Sequence, residues 1–204
     1  MKPSPIYVLV TVWRPKLAKL DCPMTEDGTK VDTLHHPGAA EYDGVEVSSV
    51  DRVWAQMVRN GRLLDSLASY GFDYLFLSPR GRAALEGLRW ERYVRVLPAT
   101  ILDRQGKKVA DYHFFHPTQE FEAVDYDRAE FEYFSGEFPG IPHKDGRPIR
   151  SVAKYVLRPD RVPEADLFME SYRRWIVTQE VVDRFQRGGI TGCEFTRAHW
   201  SGEM

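Results

Sequence analysis

The segment DYHFFHP places Asp111, His113 and His116 within six residues. Imidazoles beside a carboxylate are ligands for a divalent metal, and a metal held there would support a small metal-dependent hydrolase. The surrounding residues, however, have the aromatic and β-branched character of a strand. Residues i and i+3 of a strand point to opposite faces, so His113 and His116 converge only if a turn falls between them. Neither an H-E-x-x-H nor a C-x-x-C spacing accompanies them. They are therefore expected to be structural or surface histidines, with no bound metal and no cofactor, and the hydrolase stands as the alternative. His35 and His36 lie in a loop, HHPG, with no serine or cysteine elbow to serve. PRGRAALEG has glycines but no phosphate-binding lysine. Cys193, within GCEF on an expected buried strand, has the setting of a small apolar group rather than a nucleophile.

The run EFEAVDYDRAEFEYFSGEF differs in kind. Glu120, Glu122, Asp125, Asp127, Glu130, Glu132 and Glu137 alternate with Phe121, Tyr126, Phe131, Tyr133, Phe134 and Phe138. Carboxylates interleaved with aromatics suit a surface that meets a basic, nucleic-acid-seeking partner. The same alternation arises when the rings are core and the charges are solvated, and both readings stay open. If the segment is a contact surface, Asp127, Glu130, Phe131, Glu132, Tyr133 and Glu137 are its candidate residues. The long loop from Arg14 to Gly44 is the competing region.

The elements that must position these groups are mostly strands. IYVLVTVW predicts a first strand, and YLFLS, RYVRVLPATILD, VADYHFF, SVAKYVLRPD, RRWIVT and ITGCEFTRA predict others. Pro98 suggests an edge or a bulge in its strand. DRQGKK is a tight turn that closes a hairpin. Val50, Val53, Trp54 and Met57 have a helical spacing ending at Asn60-Gly61. Asp125 or Asp127 is expected to start a short helix, and EADLFMES to form a turn or short helical piece. Ser78 and Thr178 are expected to cap the helices PRGRAALEGL and QEVVDRFQR. The latter buries Val181, Val182 and Phe185 and stops at Gly188-Gly189. YLFLSPRGRAALEGLRWERYVRVLPA and WIVTQEVVDRFQRGGITGCEFTRAHW thus share one layout of strand, hydroxyl cap, helix and strand. Hairpin-sized turns outnumber long crossovers, which predicts an α+β fold with largely antiparallel sheets and short capped helices.

With 204 residues and a formal charge of -2, the chain has room for one large domain or two small ones and lacks the basic surplus of a nucleic-acid binder. No apolar run approaches the ~20 residues that span a bilayer, and the N-terminal run alternates without a cleavage site. Cys22 and Cys193 are far apart, so reduced thiols and a cytoplasmic location are expected.

In the C-terminal half, LPATILDRQGKKVADYHFFHPTQEFEAVDYDRAEFEYF and SVAKYVLRPDRVPEADLFMESYRRWIVTQEVVDRFQRGGITGCEF resemble the eleventh family of bacterial polymorphic-toxin immunity proteins, formerly a domain of unknown function. The matching pieces are Leu97-Pro98, Gly106, Tyr112, Val124-Asp125, Asp166-Leu167-Phe168, Trp175 to Thr178, Gly189 to Gly192 and Glu194-Phe195. Thr178 replaces the family's usual serine and Cys193 a β-branched residue. The resemblance covers residues 97–204, with a fainter match back to YLFLSP, so a single domain over 1–204 is expected with a more variable half at 1–96. It implies a non-enzymatic protein that binds and neutralises a cognate toxin domain, without nucleic acid or membrane as partner. It carries over no catalytic residues.

Overall fold

The computed structural model of the chain describes residues 4–12, 14–32, 45–69, 74–135, 141–142 and 146–203. The strands of the first half are β1 (Ile6–Thr11), β2 (Lys19–Leu20), β3 (Val31–Asp32), β4 (Val45–Glu46), β5 (Val53–Arg59), β6 (Ser66–Ser69), β7 (Leu75–Leu77) and β8 (Val94–Leu102). Those of the second are β9 (Lys108–Pro117), β10 (Glu120–Phe121), β11 (Glu130–Tyr133), β12 (Ile141–Pro142), β13 (Pro148–Lys154), β14 (Val156–Leu157), β15 (Leu167–Glu170), β16 (Arg174–Thr178) and β17 (Cys193–Trp200). The helices are α1 (Pro79–Ala83) and α2 (Gln179–Arg187). At 47% strand and 12% helix, helices are the minor component of the expected α+β architecture.

Six strands close a barrel in the order β2-β5-β8-β9-β7-β6. Leu20, Val53, Phe76, Ile101 and Phe114 point into it and have no exposed surface. The barrel is therefore a packed core, as small barrels are when side chains fill them. The β8–β9 hairpin forms as its turn predicts: Asp103 Oδ1 accepts from Gln105 N and Lys107 N, both at 2.9 Å, and Gly106 takes φ 79°. Pro98 does not interrupt β8. As far as Pro98, β8 is paired with β9 alone, and β5 joins at Ala99, so the missing N–H falls at an edge.

A six-stranded sheet in the order β10-β15-β16-β1-β17-β14 lies against the barrel. Strand β1 is central, antiparallel to both β16 and β17. One sheet face buries Leu9, Trp175 and Val177 with α2 residues Val181, Val182 and Phe185 against Leu75, Leu77 and Phe115 from the outside of the barrel. The other face buries Ile6, Val8, Phe168 and Ile176 beneath the three-stranded sheet β11-β13-β12. Most pairings are antiparallel; β2·β6, β3·β4, β5·β8, β10·β15 and β14·β17 are parallel.

Four local expectations are corrected. The segment around Val53, Trp54 and Met57 is strand β5, not a helix. Its buried residues Val53, Ala55 and Met57 alternate, and the small Ala55 carries the period-two pattern that larger neighbours obscure. Residues 125–128 form a turn, with Ala129 N donating to Asp125 O at 2.8 Å, and no helix follows. Residues 167–170 are strand β15, because pairing with β16 and β10 buries all four of them. Thr178 occupies the N-cap position of α2 but makes no capping bond; its hydroxyl donates to Asp166 Oδ1 at 3.1 Å instead. Ser78, by contrast, accepts from Gly81 N at 3.1 Å as expected. The described part of the Arg14–Gly44 segment is also more ordered than a bare loop, since it contains β2 and β3.

Candidate functional site

The acidic-aromatic run is threaded across the third core. Asp125 N donates to Val156 O at 2.8 Å, and Asp127 N reaches back to Asp125 Oδ1 at 3.2 Å, which shapes the turn leading into β11. β11 is an outer strand of its sheet, so its alternation separates the two residue types cleanly. Glu130 and Glu132 project to solvent, whereas Phe131 and Tyr133 pack inward. Phe131 lies 5.9 Å from the Tyr126 ring and 5.8 Å from the Tyr172 ring. The Arg147 guanidinium sits 3.9 Å over Tyr133. Glu130 approaches Lys154 Nζ at 3.5 Å, and Ser151 Oγ donates to Glu132 at 2.6 Å. Asp127 is exposed in the turn, and Glu137 lies outside the described residues. The structure thus leaves Glu130 and Glu132 exposed on one face of β11 and Asp127 exposed in the preceding turn, and packs Phe131 and Tyr133 inward.

Beneath this layer is a carboxyl group that the sequence did not single out. Glu170, at the end of β15, has no exposed surface. Burial pushes its pKa up to about 7; Tyr172 N–H and Ser171 Oγ–H, each donating at 2.8 Å, oppose the shift without overcoming it, and Glu120 adds to it. The Tyr155 hydroxyl faces the same region, with no hydrogen-bond partner among the described residues and its own pKa raised by burial. Arg173, next along the chain, holds a left-handed backbone at φ 61° where β15 turns into β16. The only sequence signal for Glu170 is a charge ending the apolar run LFM.

Asp111, His113 and His116 do not form a common site. All three lie on β9, which puts Asp111 and His113 on the barrel's outer face and His116 on the other. Asp111 pairs with Lys108 at 2.7 Å and Arg52 at 3.8 Å. Burial and the nearby Arg82 push the His113 pKa down, and the His116 ring lies 6.3 Å from that of Phe114. Among the described residues no group of three or more His, Cys, Asp or Glu is placed to hold a metal ion. His35 and His36 lie outside the described residues. Burial, with Asp65 and Glu194 adding to it, pushes the Cys193 thiol up to about 12, so it stays protonated and poorly nucleophilic near neutrality. No helix among the described residues is long and apolar enough to cross a membrane.

The model of the Immunity protein family (Imm11) matches residues 28–199. The match spans well over half of the 204-residue chain, and the chain belongs to that family. No curated protein matches it.

Proposed function

We propose that this chain binds a cognate bacterial toxin domain and neutralises it by covering its active site, without catalysing a reaction. The observation that carries this reading is the family match over residues 28–199. It is supported by the chemistry of the described side chains: the thiol of Cys193 is held protonated, and Asp111 is engaged with two cations. The proposed site of action is the cytoplasm, where a toxin reaching its target would be intercepted.

The proposed contact surface is formed by Asp127, Glu130 and Glu132, with Phe131 and Tyr133 holding β11 in place behind it; Glu137, the remaining candidate, lies outside the described residues. Carboxylates displayed this way suit a basic active-site cleft, such as that of a toxin acting on nucleic acid. They speed encounter and occupy the positions of substrate phosphates. The test is a titration with a cognate toxin domain. Glu130→Lys combined with Glu132→Lys is expected to slow association at low salt by roughly tenfold or more. Reversal of the exposed Glu26 in the N-terminal region is expected to leave association unchanged. The opposite pattern moves the interface to the segment between Arg14 and Gly44.

A further inference from the structure

The two strand–cap–helix–strand segments correspond further than their sequences indicate. Asp65 directly precedes β6, which pairs antiparallel with β7, Ser66 opposite Leu77. Asp166 directly precedes β15, which pairs antiparallel with β16, Leu167 opposite Val177. In each hairpin the cap residue's N–H donates to the aspartate's carbonyl, Ser78 to Asp65 at 2.7 Å and Thr178 to Asp166 at 3.1 Å. In each the cap hydroxyl also donates to the aspartate's carboxylate, at 2.8 Å and 3.1 Å respectively.

The strand after each helix then skips one position in its sheet. β8 is separated from β7 by β9, and β17 from β16 by β1, each inserted strand antiparallel to both neighbours. Equivalent positions meet equivalent partners. Leu75 lies opposite Phe115, which lies opposite Val96; Trp175 lies opposite Leu9, which lies opposite Phe195. Both rows face the second core, while Phe76 and Ile176 face away from it into the barrel and the third core.

The contact between the two segments is reciprocal. The stretch after α1 reaches the second aspartate: Arg89 N donates to Asp166 Oδ2 at 2.9 Å, Asp166 N returns to Arg89 O at 2.7 Å, and Arg89 Nε reaches Oδ2 at 3.3 Å. The stretch after α2 reaches the first aspartate: Thr191 N and Oγ1 donate to Asp65 Oδ2 at 3.0 and 2.8 Å, and Ser66 N returns to Thr191 O at 2.8 Å. The approach is so close that a Cβ on Gly192 would stand 2.1 Å from Ser66 O. The two contacts agree in the aspartate carboxylate that accepts and differ by one residue in the returning N–H, Asp166 itself in one and Ser66 in the other, which approximates the isologous pattern of a two-fold pair.

We infer that residues 65–69 with 74–102, and residues 166–200, are two copies of one hairpin–cap–helix–strand unit, fused as an internal pseudo-two-fold pair that Asp65 and Asp166 clasp together. The first strand of the chain fills in the second copy the place that β9 fills in the first. The clasps join the barrel to the sheet across the second core, so each aspartate supports the copy it does not belong to.

Hydrogen–deuterium exchange on full-length Asp65→Asn and Asp166→Asn tests it. The Asp166 variant is expected to speed exchange of the Arg89 amide and of β7 by tenfold or more. The Asp65 variant is expected to do the same to the Thr191 amide and β17. Should either variant fail to fold, Thr191→Val and Arg89→Met each remove the side-chain donor to the other copy's aspartate while leaving the backbone donor, the aspartate and its cap in place, with the same crossing of effects expected at smaller size. Acceleration confined to the mutated copy in both variants, or no acceleration at all, overturns the clasp.

Discussion

At the scale of single residues, three buried carboxyl groups respond to pH in opposite senses. Burial pushes Asp65 and Asp166 up, but the Arg80 guanidinium with Thr191 and Ser78, and the Arg89 N–H and guanidinium with Thr178, outweigh it and hold both below the usual carboxylate range. Their stabilisation is present above the unfolded pKa of about 4 and is lost as pH falls through the lower folded values. Glu170 is the reverse case, raised to about 7 in the folded protein. Its favourable contribution is complete below about 4.5 and lost as pH rises through about 7, since ionising it there costs on the order of 3 kcal/mol. Wild-type protein is therefore expected to be more stable to urea at pH 5.5 than at pH 8, and Glu170→Gln to flatten that difference while leaving acid unfolding below pH 4 in place. Equal slopes in the two proteins would remove Glu170 as the cause. Glu170 was not legible in the sequence because a glutamate closing an apolar run looks like a turn residue until β10 and the three-stranded sheet are laid over it. The carboxylates of β11 were legible only in part: their alternation with aromatics is plain in the sequence, but the segment was expected to start a short helix, and only its pairing with β13 as a strand fixes which residues face out.

Among the elements, α2 and the β8–β9 hairpin could be read from sequence because local chemistry decides them: Gly188-Gly189 stops the one and Asp103 with Gly106 turns the other. β5 could not, because Val50, Val53, Trp54 and Met57 satisfy a helical period while Val53, Ala55 and Met57 satisfy an alternating one, and only its partners β2 and β8 choose between them. Thr178 was placed correctly as the first residue before α2, but the bond it makes depends on Asp166, twelve residues away. This changes what its removal should do. Thr178→Ala deletes one of several donors to Asp166 and is expected to cost about 1 kcal/mol. Gly192→Ala forces a methyl group into Ser66 O and is expected to cost at least about 2 kcal/mol more than that. Denaturant midpoints of the two variants settle the order; a Gly192 variant as stable as wild type would contradict the close approach of the two copies.

Across the whole molecule, chain order and spatial order diverge. The barrel draws strands from both sides of residue 97, β8 itself spans Val94–Leu102, and β1 is held between two C-terminal strands. We propose on this ground that 1–204 folds as one unit, with 97–204 not separable from the rest. The layered arrangement leaves Glu130 and Glu132 of β11 exposed on the outside of the third core. The central claim is that this chain inhibits by occupying a toxin rather than by transforming it. The decisive experiment titrates the purified protein against a fixed amount of a cognate toxin domain while following toxin activity. The account predicts loss of activity in proportion to added protein, complete at a fixed stoichiometry, with full activity regained when the two are separated in denaturant and the toxin is refolded alone. Complete inactivation by a small fraction of an equivalent, or a toxin that stays inactive after separation, would show instead that the protein acts as an enzyme.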